Sequence, residues 1–309
     1  MDDSAAAAPA QRNPRELALA IDIGGTKIAA GLATRQGDLV DRDQVHTARD
    51  LSGDGLFDSL AEMVEKLLDR AAGRDLGKVV TVGVGCAGPI TREAESVSPL
   101  NIHAWRSFPL RARLRELTDR PVYGDLDAKA YALAEGWLGA ARGRSSFLAM
   151  VVSTGVGGGI VLDGQLLDGA SGNAGHIGHM IVVPQGRRCA CGSRGCLEAE
   201  ASGLAIEAIT GRPPTAPSYE IMQRTGRLVG LAVASVCNLL DLDLAVVGGS
   251  VAFGFGATFF HAAQEVIDEH SRLEFSRSAR ITPGRLGDRG PLVGAAAVAW
   301  RGHNRNSVF

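Results

Sequence analysis

One pattern occurs twice in this 309-residue chain, and it limits the possible folds more than any other feature. Leu17 to Ile23 is an apolar run that ends in Gly24-Gly25-Thr26-Lys27; Ile28 to Leu32 resumes it, and Gln36-Gly37-Asp38 leads into Leu39-Val40. From Phe147 the pattern returns: an apolar run to Ser153, the turn Thr154-Gly155-Val156-Gly157-Gly158-Gly159, Ile160 to Leu162, Asp163-Gly164, then Gln165-Leu166-Leu167. Each copy reads as strand, glycine turn, strand, turn, strand. A repeated unit of this kind predicts an internal duplication and two lobes, each opened by a turn that can accommodate a phosphate. The cleft between them is the natural site.

Two more strands end in glycine turns, Val79 to Val84 before Gly85-Cys86-Ala87-Gly88-Pro89 and Leu244 to Val247 before Gly248-Gly249-Ser250. Helical patterns at Gly55 to Ala72, Ala128 to Ala141 and Arg227 to Leu240 alternate with strands, which predicts an α/β protein with doubly wound sheets. Residues 211–217 read as a surface loop. Leu292 to Trp300, with Gly294 and Ala295 to Ala297, predicts a helix that packs closely, back on the first lobe.

Composition excludes several classes. Apolar residues make up 45 % and charged residues 21 %, so the chain has the material for a large core and is neither fibrous nor disordered. The 32 basic and 34 acidic side chains leave a net charge of −2, too weak a field to gather nucleic acid or an anionic membrane, so neither is expected as a partner. The longest uncharged stretch, Leu244 to Phe260, is broken by four glycines, and no transmembrane segment is expected. Residues 1–15 carry acids where a secretory signal carries bases and read as a disordered tail, which places the protein in the cytoplasm. Three of the five cysteines cluster, which favours metal chemistry over a disulfide framework.

Chemistry-bearing residues gather at the glycine turns and just after the second repeat. Asp22-Ile-Gly-Gly-Thr-Lys27 can present backbone N–H groups, a hydroxyl and an ammonium to a phosphate, although a plain hairpin has the same look. Paired with Ser153-Thr154-Gly155-Val156-Gly157, it favours a polyphosphate gripped from both lobes. A dinucleotide fingerprint fails because Gly155 to Gly159 leads into a strand rather than a helix. His179, Cys189, Cys191 and Cys196, spaced by glycines, are the donor set of a closed structural zinc site. Cys86 and Cys237 read as core residues. Asp125 and Asp127 lie where Pro121-Val122-Tyr123, a short strand, gives way to a helix. One can cap the helix and the other accept a hydroxyl proton, and Asp125 lies nearer the strand tip. A zinc-folded loop would bring His176, His179 and Glu198 together, a set able to read the hydroxyls of a polyol.

The ordered set Asp22-Ile-Gly-Gly-Thr-Lys27, Gly85-Cys-Ala-Gly-Pro89, Asn101 with Trp105, Asp125, Ser153-Thr-Gly-Val-Gly-Gly-Gly159, Gly178-His179, Cys189-x-Cys-Gly-x-x-Gly-Cys-Leu-Glu198 and Val247-Gly-Gly-Ser250 resembles the ROK family (repressor, ORF, kinase). The resemblance runs from about Leu17 to Trp300. It implies a two-lobed actin-like ATPase (ribonuclease H-like) fold with a zinc-binding loop, divided into residues 16–121 plus 290–302 and residues 122–289. It implies a kinase using ATP and magnesium ion, with nucleotide contacts at Asp22, Gly24, Gly25, Thr26, Lys27, Ser153, Thr154, Gly155, Gly157, Gly248 and Gly249. Asp125 is implied as the base toward a sugar 6-hydroxyl, zinc is implied at His179, Cys189, Cys191 and Cys196, and sugar contacts at Gly88, Asn101, Asp125, His176, His179 and Glu198. A homodimer is usual in the family.

Two departures from the family pattern fall at sugar-contacting positions. Most members have Asn-Asp where Gly124-Asp125 stands, which implies the loss of an amide contact. Glucose-type members have Glu where His176 stands, whereas Gly175-His176-Ile177-Gly178-His179 is similar to bacterial N-acetylmannosamine kinases, implying that sugar as substrate. A glucokinase or other hexokinase of the same family is the alternative, and a catalytically weak sugar-binding regulator is the reading from another class. The family's repressors carry a helix-turn-helix domain ahead of the part that matches here.

Overall fold

The structure is a computed structural model that describes residues 15–48 and 50–304; the expected tail, apart from Arg15, lies outside the described residues. The first half builds β1 (Glu16–Ile23), β2 (Lys27–Thr34), β3 (Leu39–His46), α1 (Gly53–Gly73), β4 (Lys78–Cys86), α2 (Leu110–Thr118), β5 (Val122–Leu126) and α3 (Asp127–Trp137). The second builds β6 (Phe147–Val152), β7 (Val156–Leu162), β8 (Gln165–Leu166), α4 (Leu197–Ala201), α5 (Gly203–Thr210), α6 (Tyr219–Leu240), β9 (Leu244–Gly248), α7 (Ser250–His270), β10 (Arg280–Pro283) and α8 (Gly290–His303).

The two sheets have one topology. Their orders are β3-β2-β1-β4-β5 and β8-β7-β6-β9-β10. In each, the first three strands form an antiparallel meander and the last two run parallel to the first. The central strands are apolar on both faces, as sheets covered by helices on both sides require; Leu17 to Ile21 and Ile23 are fully buried. Helix α1 shows how the covering helices form. Ser52 Oγ accepts from Gly55 N at 3.1 Å and caps it, and Leu56, Leu60, Met63, Val64 and Leu67 recur at helical spacing on its buried face.

Helices α3 and α8 link the lobes. α8 packs on β1, β4 and β5 of the first sheet, α3 packs on β6 and β7 of the second, and the two helices pack on each other. Ala295 to Ala297 and Ala299 of α8 are fully buried, so the small residues give the close approach expected from the sequence.

Three sequence expectations change. Strand β5 pairs with β4 from Val122 to Leu126 and therefore belongs to the first sheet, so a division after residue 121 cuts off a strand of that sheet. Pro121 marks where a strand can start but carries no information about its neighbour. Helix α6 starts at Tyr219 rather than Arg227, because Ser218 Oγ accepts from Ile221 N and caps an extra polar turn. Helix α7 runs through Gly254 and Gly256, and the glycines leave only a kink, with Gly256 at φ 54°. No helix among the described residues is long and apolar enough to cross a membrane.

Candidate active site

The cleft collects residues from turns of both sheets. Asp22 lies near the end of β1, and the turn after it is pinned by Gly24 N donating to Lys27 O at 3.0 Å and by Thr47 Oγ1 donating to Gly24 O at 2.8 Å. Asn101 packs on this turn: a Cβ at Gly25 would lie 2.7 Å from the Asn101 Cβ. From the second lobe, Glu198 reaches the β6–β7 turn, where its Oε2 accepts from Val156 N at 2.9 Å beside Gly155. Ser153 Oγ lies 2.9 Å from Ser250 Oγ, which joins this turn to the start of α7; Gly249, at φ 101°, is the cap residue there. The free N–H groups of that helix N-terminus favour an anion. His176 stands over Gly88, where a Cβ would lie 3.3 Å from its Cε1.

The two candidate carboxylates separate here. Asp125 is 8 % exposed, and its Oδ1 lies 2.9 Å from Nζ of Lys129, itself 1 % exposed. Asp125 Oδ2 lies 3.8 Å from Nη1 of Arg301, so this group is tied up by two cations. Asp127 is solvent-accessible at the first residue of α3, and its Oδ1 accepts from Ala128 N at 2.7 Å. Protein crowding in the cleft nevertheless pushes its carboxyl above the ordinary range, and the Glu198 charge adds to this. Asp22 is pushed up to about 7, mainly by burial and then by the Asp127 carboxylate, with Lys27 working in the opposite direction. Asp22, Asp127 and Glu198 therefore form one electrostatic cluster, and Asp125 stands in another with Lys129 and Arg301.

Only the point at which β5 ends separates the two carboxylates, since residues two apart in a strand share a face. Because the strand runs to Leu126, Asp125 is a strand residue and Asp127 is the first residue of the helix.

Gly124 has a packing reason. The loop at Glu93 and Ala94, both at positive φ, presses on β5, and a Cβ at Gly124 would overlap Ala94 Cβ and come within 3.0 Å of Glu93 O. Gly124→Asn is therefore expected to destabilise the fold by about 2 kcal/mol, from overpacking, rather than to supply a sugar contact. Thermal denaturation beside the unsubstituted protein checks this.

The structure brings the four expected zinc ligands together as a possible metal site. A ring nitrogen of His179 and Sγ of Cys189, Cys191 and Cys196 all lie within 4.8 Å of one another. Cys191 Sγ to Cys196 Sγ is 3.7 Å and Cys189 Sγ to His179 Nδ1 is 3.6 Å. Zn–S bonds of about 2.3 Å in a tetrahedron put sulfurs about 3.8 Å apart, whereas a disulfide needs about 2.05 Å. The residues fit a tetrahedral zinc ion. The loop holds this shape through a small hairpin, in which Cys189 N donates to Ser193 O at 2.8 Å and Gly192 N donates to Cys189 O at 3.0 Å. Buried Glu200 anchors it by accepting from Arg187 N and pairing with Arg224 of α6. Cys86 and Cys237 are core residues, both fully buried.

Paired five-stranded sheets of one topology, linked by helices α3 and α8, define the actin-like ATPase class. The ROK family model matches residues 18–301, and the chain belongs to the ROK family. An N-acetylmannosamine kinase of Haemophilus influenzae is 33 % identical over 90 % of this chain and 93 % of its own length. A ROK hexokinase from Thermus thermophilus superposes with a TM-score of 0.80 at 33 % identity, covering 94 % of this chain and 99 % of that one. A ROK family glucokinase from Streptomyces griseus, solved in complex with glucose and AMPPNP, gives 0.79 at 28 % identity, covering 92 % and 99 %.

Proposed function

We propose that the chain is an ATP-dependent sugar kinase that phosphorylates the 6-hydroxyl of a hexose or N-acetylhexosamine, with N-acetylmannosamine as preferred substrate and Asp127 as the base. One observation carries the assignment of the base: Asp127 is the accessible carboxylate between the Asp22 turn and Glu198, while Asp125 is buried against Lys129. Phosphoryl transfer needs little covalent help from protein. It needs an in-line hydroxyl, a carboxylate to accept its proton, and compensation of phosphate charge. Desolvation by the surrounding protein holds the carboxyls of both Asp125 and Asp127 above the ordinary range, so access to the cleft, not acidity, favours Asp127.

The two glycine turns and the start of α7 would take the nucleotide phosphates, through backbone N–H groups from both lobes. Asp22, a buried carboxyl beside Asp127 offset by Lys27 alone, fits a hydrated magnesium ion. Magnesium bound there with the nucleotide supplies charge neutralisation on the transferring group. The zinc ion would act structurally, fixing the His176–Glu198 segment; with Nδ1 of His179 on the metal, its Nε2 remains to meet a sugar hydroxyl.

With Asp127 as base, the family's Asn-Asp pair falls on Leu126-Asp127 rather than Gly124-Asp125. The sugar then meets an apolar Leu126, 4 % exposed, where other members offer an amide. Gly124 no longer argues for a weak regulator, since packing explains it. N-acetylmannosamine is favoured by the Haemophilus influenzae relative and by His176. Glucose is the second reading, favoured by the Streptomyces griseus neighbour. Cytoplasmic location and a homodimer belong to the same proposal, on the resemblance.

The test is kcat/KM with MgATP across N-acetylmannosamine, N-acetylglucosamine, glucose, mannose, fructose and allose, on zinc-replete protein. N-acetylmannosamine is expected to rank first. A plain hexose in first place would remove His176 as the reader of the acetamido sugar while leaving the kinase intact.

A further inference from the structure

A pocket of about 260 Å³, lined by Asp125, Lys129, Asp168 and Arg301 among others, holds a ring of charge that the reaction does not use. Lys129 Nζ sits 2.9 Å from Asp125 Oδ1, 2.9 Å from Asp168 Oδ1 and 3.2 Å from Gly172 O. Arg301 closes the ring, with Nη2 3.3 Å from Asp168 Oδ2 and Nη1 3.8 Å from Asp125 Oδ2. The four residues come from four places: β5, α3, the loop after β8, and α8. That loop leads directly into Gly175-His176. It is further tied down by Ala174 N donating to Asp168 O at 3.0 Å and by Asn173 Nδ2 donating to Ile90 O at 3.1 Å.

We propose that Lys129 is a positioning residue for sugar binding: its buried ammonium ties the Asp168–Gly172 segment to helix α3 and so fixes His176 relative to Asp127. Three features support this role. Lys129 follows Asp127 by two residues on one helix, so whatever it holds is held in register with the base. A buried cation between carboxylates contributes little net stability compared with an apolar core, so an energetic reason for it is weak. Lys129 is the residue that joins this segment to helix α3, since Arg301 holds it to α8 and Asn173 holds it to Ile90.

This inference rests on the sugar-kinase reading, and the test separates the two. Asp168→Asn keeps the Lys129–Asp125 pair and removes the charge on the loop side; Lys129→Met removes the whole link. Each variant is compared with the unsubstituted protein for sugar KM, ATP KM, kcat, and hydrogen–deuterium exchange of residues 168–176. The expected result is a roughly tenfold rise in sugar KM, with ATP KM and kcat within about twofold, and faster exchange in the loop. Should Lys129→Met fail to fold, Asp168→Asn decides. Unchanged sugar KM and unchanged exchange in Asp168→Asn would overturn the proposal, as would an equal loss in all three kinetic constants. Absence of sugar turnover in the unsubstituted protein would instead count against the kinase reading, and the exchange measurement would still decide whether Lys129 holds the loop.

Discussion

Asp127→Asn is expected to lower kcat by about 10²–10⁴-fold, the usual contribution of a positioned general base, while sugar binding and thermal stability stay close to those of the unsubstituted protein. The carboxamide keeps the size of the side chain, and its oxygen can still accept from Ala128 N. Asp125→Asn is expected to behave in the opposite way. It leaves Lys129, 1 % exposed, with Asp168 as its remaining carboxylate, and so lowers stability; kcat should stay within about tenfold. Coupled ADP-release kinetics and thermal melts on both variants decide between them. Collapse of kcat in Asp125→Asn with retention in Asp127→Asn would return the base to Asp125.

Loss of the metal should have the second large effect. Structural zinc contributes on the order of 10 kcal/mol of coupled binding and folding free energy in small sites, and here it would hold residues 184–196, a stretch rich in glycine, arginine and cysteine. Cys191→Ser, or chelation of the native protein, is expected to lower the melting temperature and abolish sugar binding. Nucleotide binding should survive, because the glycine turns at Asp22 and Ser153 are built from the sheets rather than from the loop. Elemental analysis should give about one zinc per chain. Full sugar binding in a metal-free preparation would contradict the assignment.

The sequence revealed the site's local parts better than their spatial relations. Glycine turns, the His179–Cys196 donor set and the small-residue helix α8 are written in contiguous residues, and each folds locally as its spacing suggests. The duplication was legible for the same reason, since each copy opens with a compact meander. The choice between Asp125 and Asp127 depends on where β5 ends, which the residues around Pro121 do not mark. A strand continuing through Gly124-Asp125-Leu126 turns Asp125 toward Lys129 and hands the helix start to Asp127. Gly124 misled because its constraint comes from Ala94, thirty residues earlier in the chain. The link from Lys129 to Asp168 and Arg301 was invisible for the same reason: it joins residues 39 and more apart.

The most direct test of the central claim is ADP release from MgATP by zinc-replete protein, measured with and without sugar. The account predicts release that saturates with at least one hexose or N-acetylhexosamine, with phosphorus NMR placing the product phosphate on O6. Release that is indifferent to sugar, or absent for every sugar tried, would contradict it.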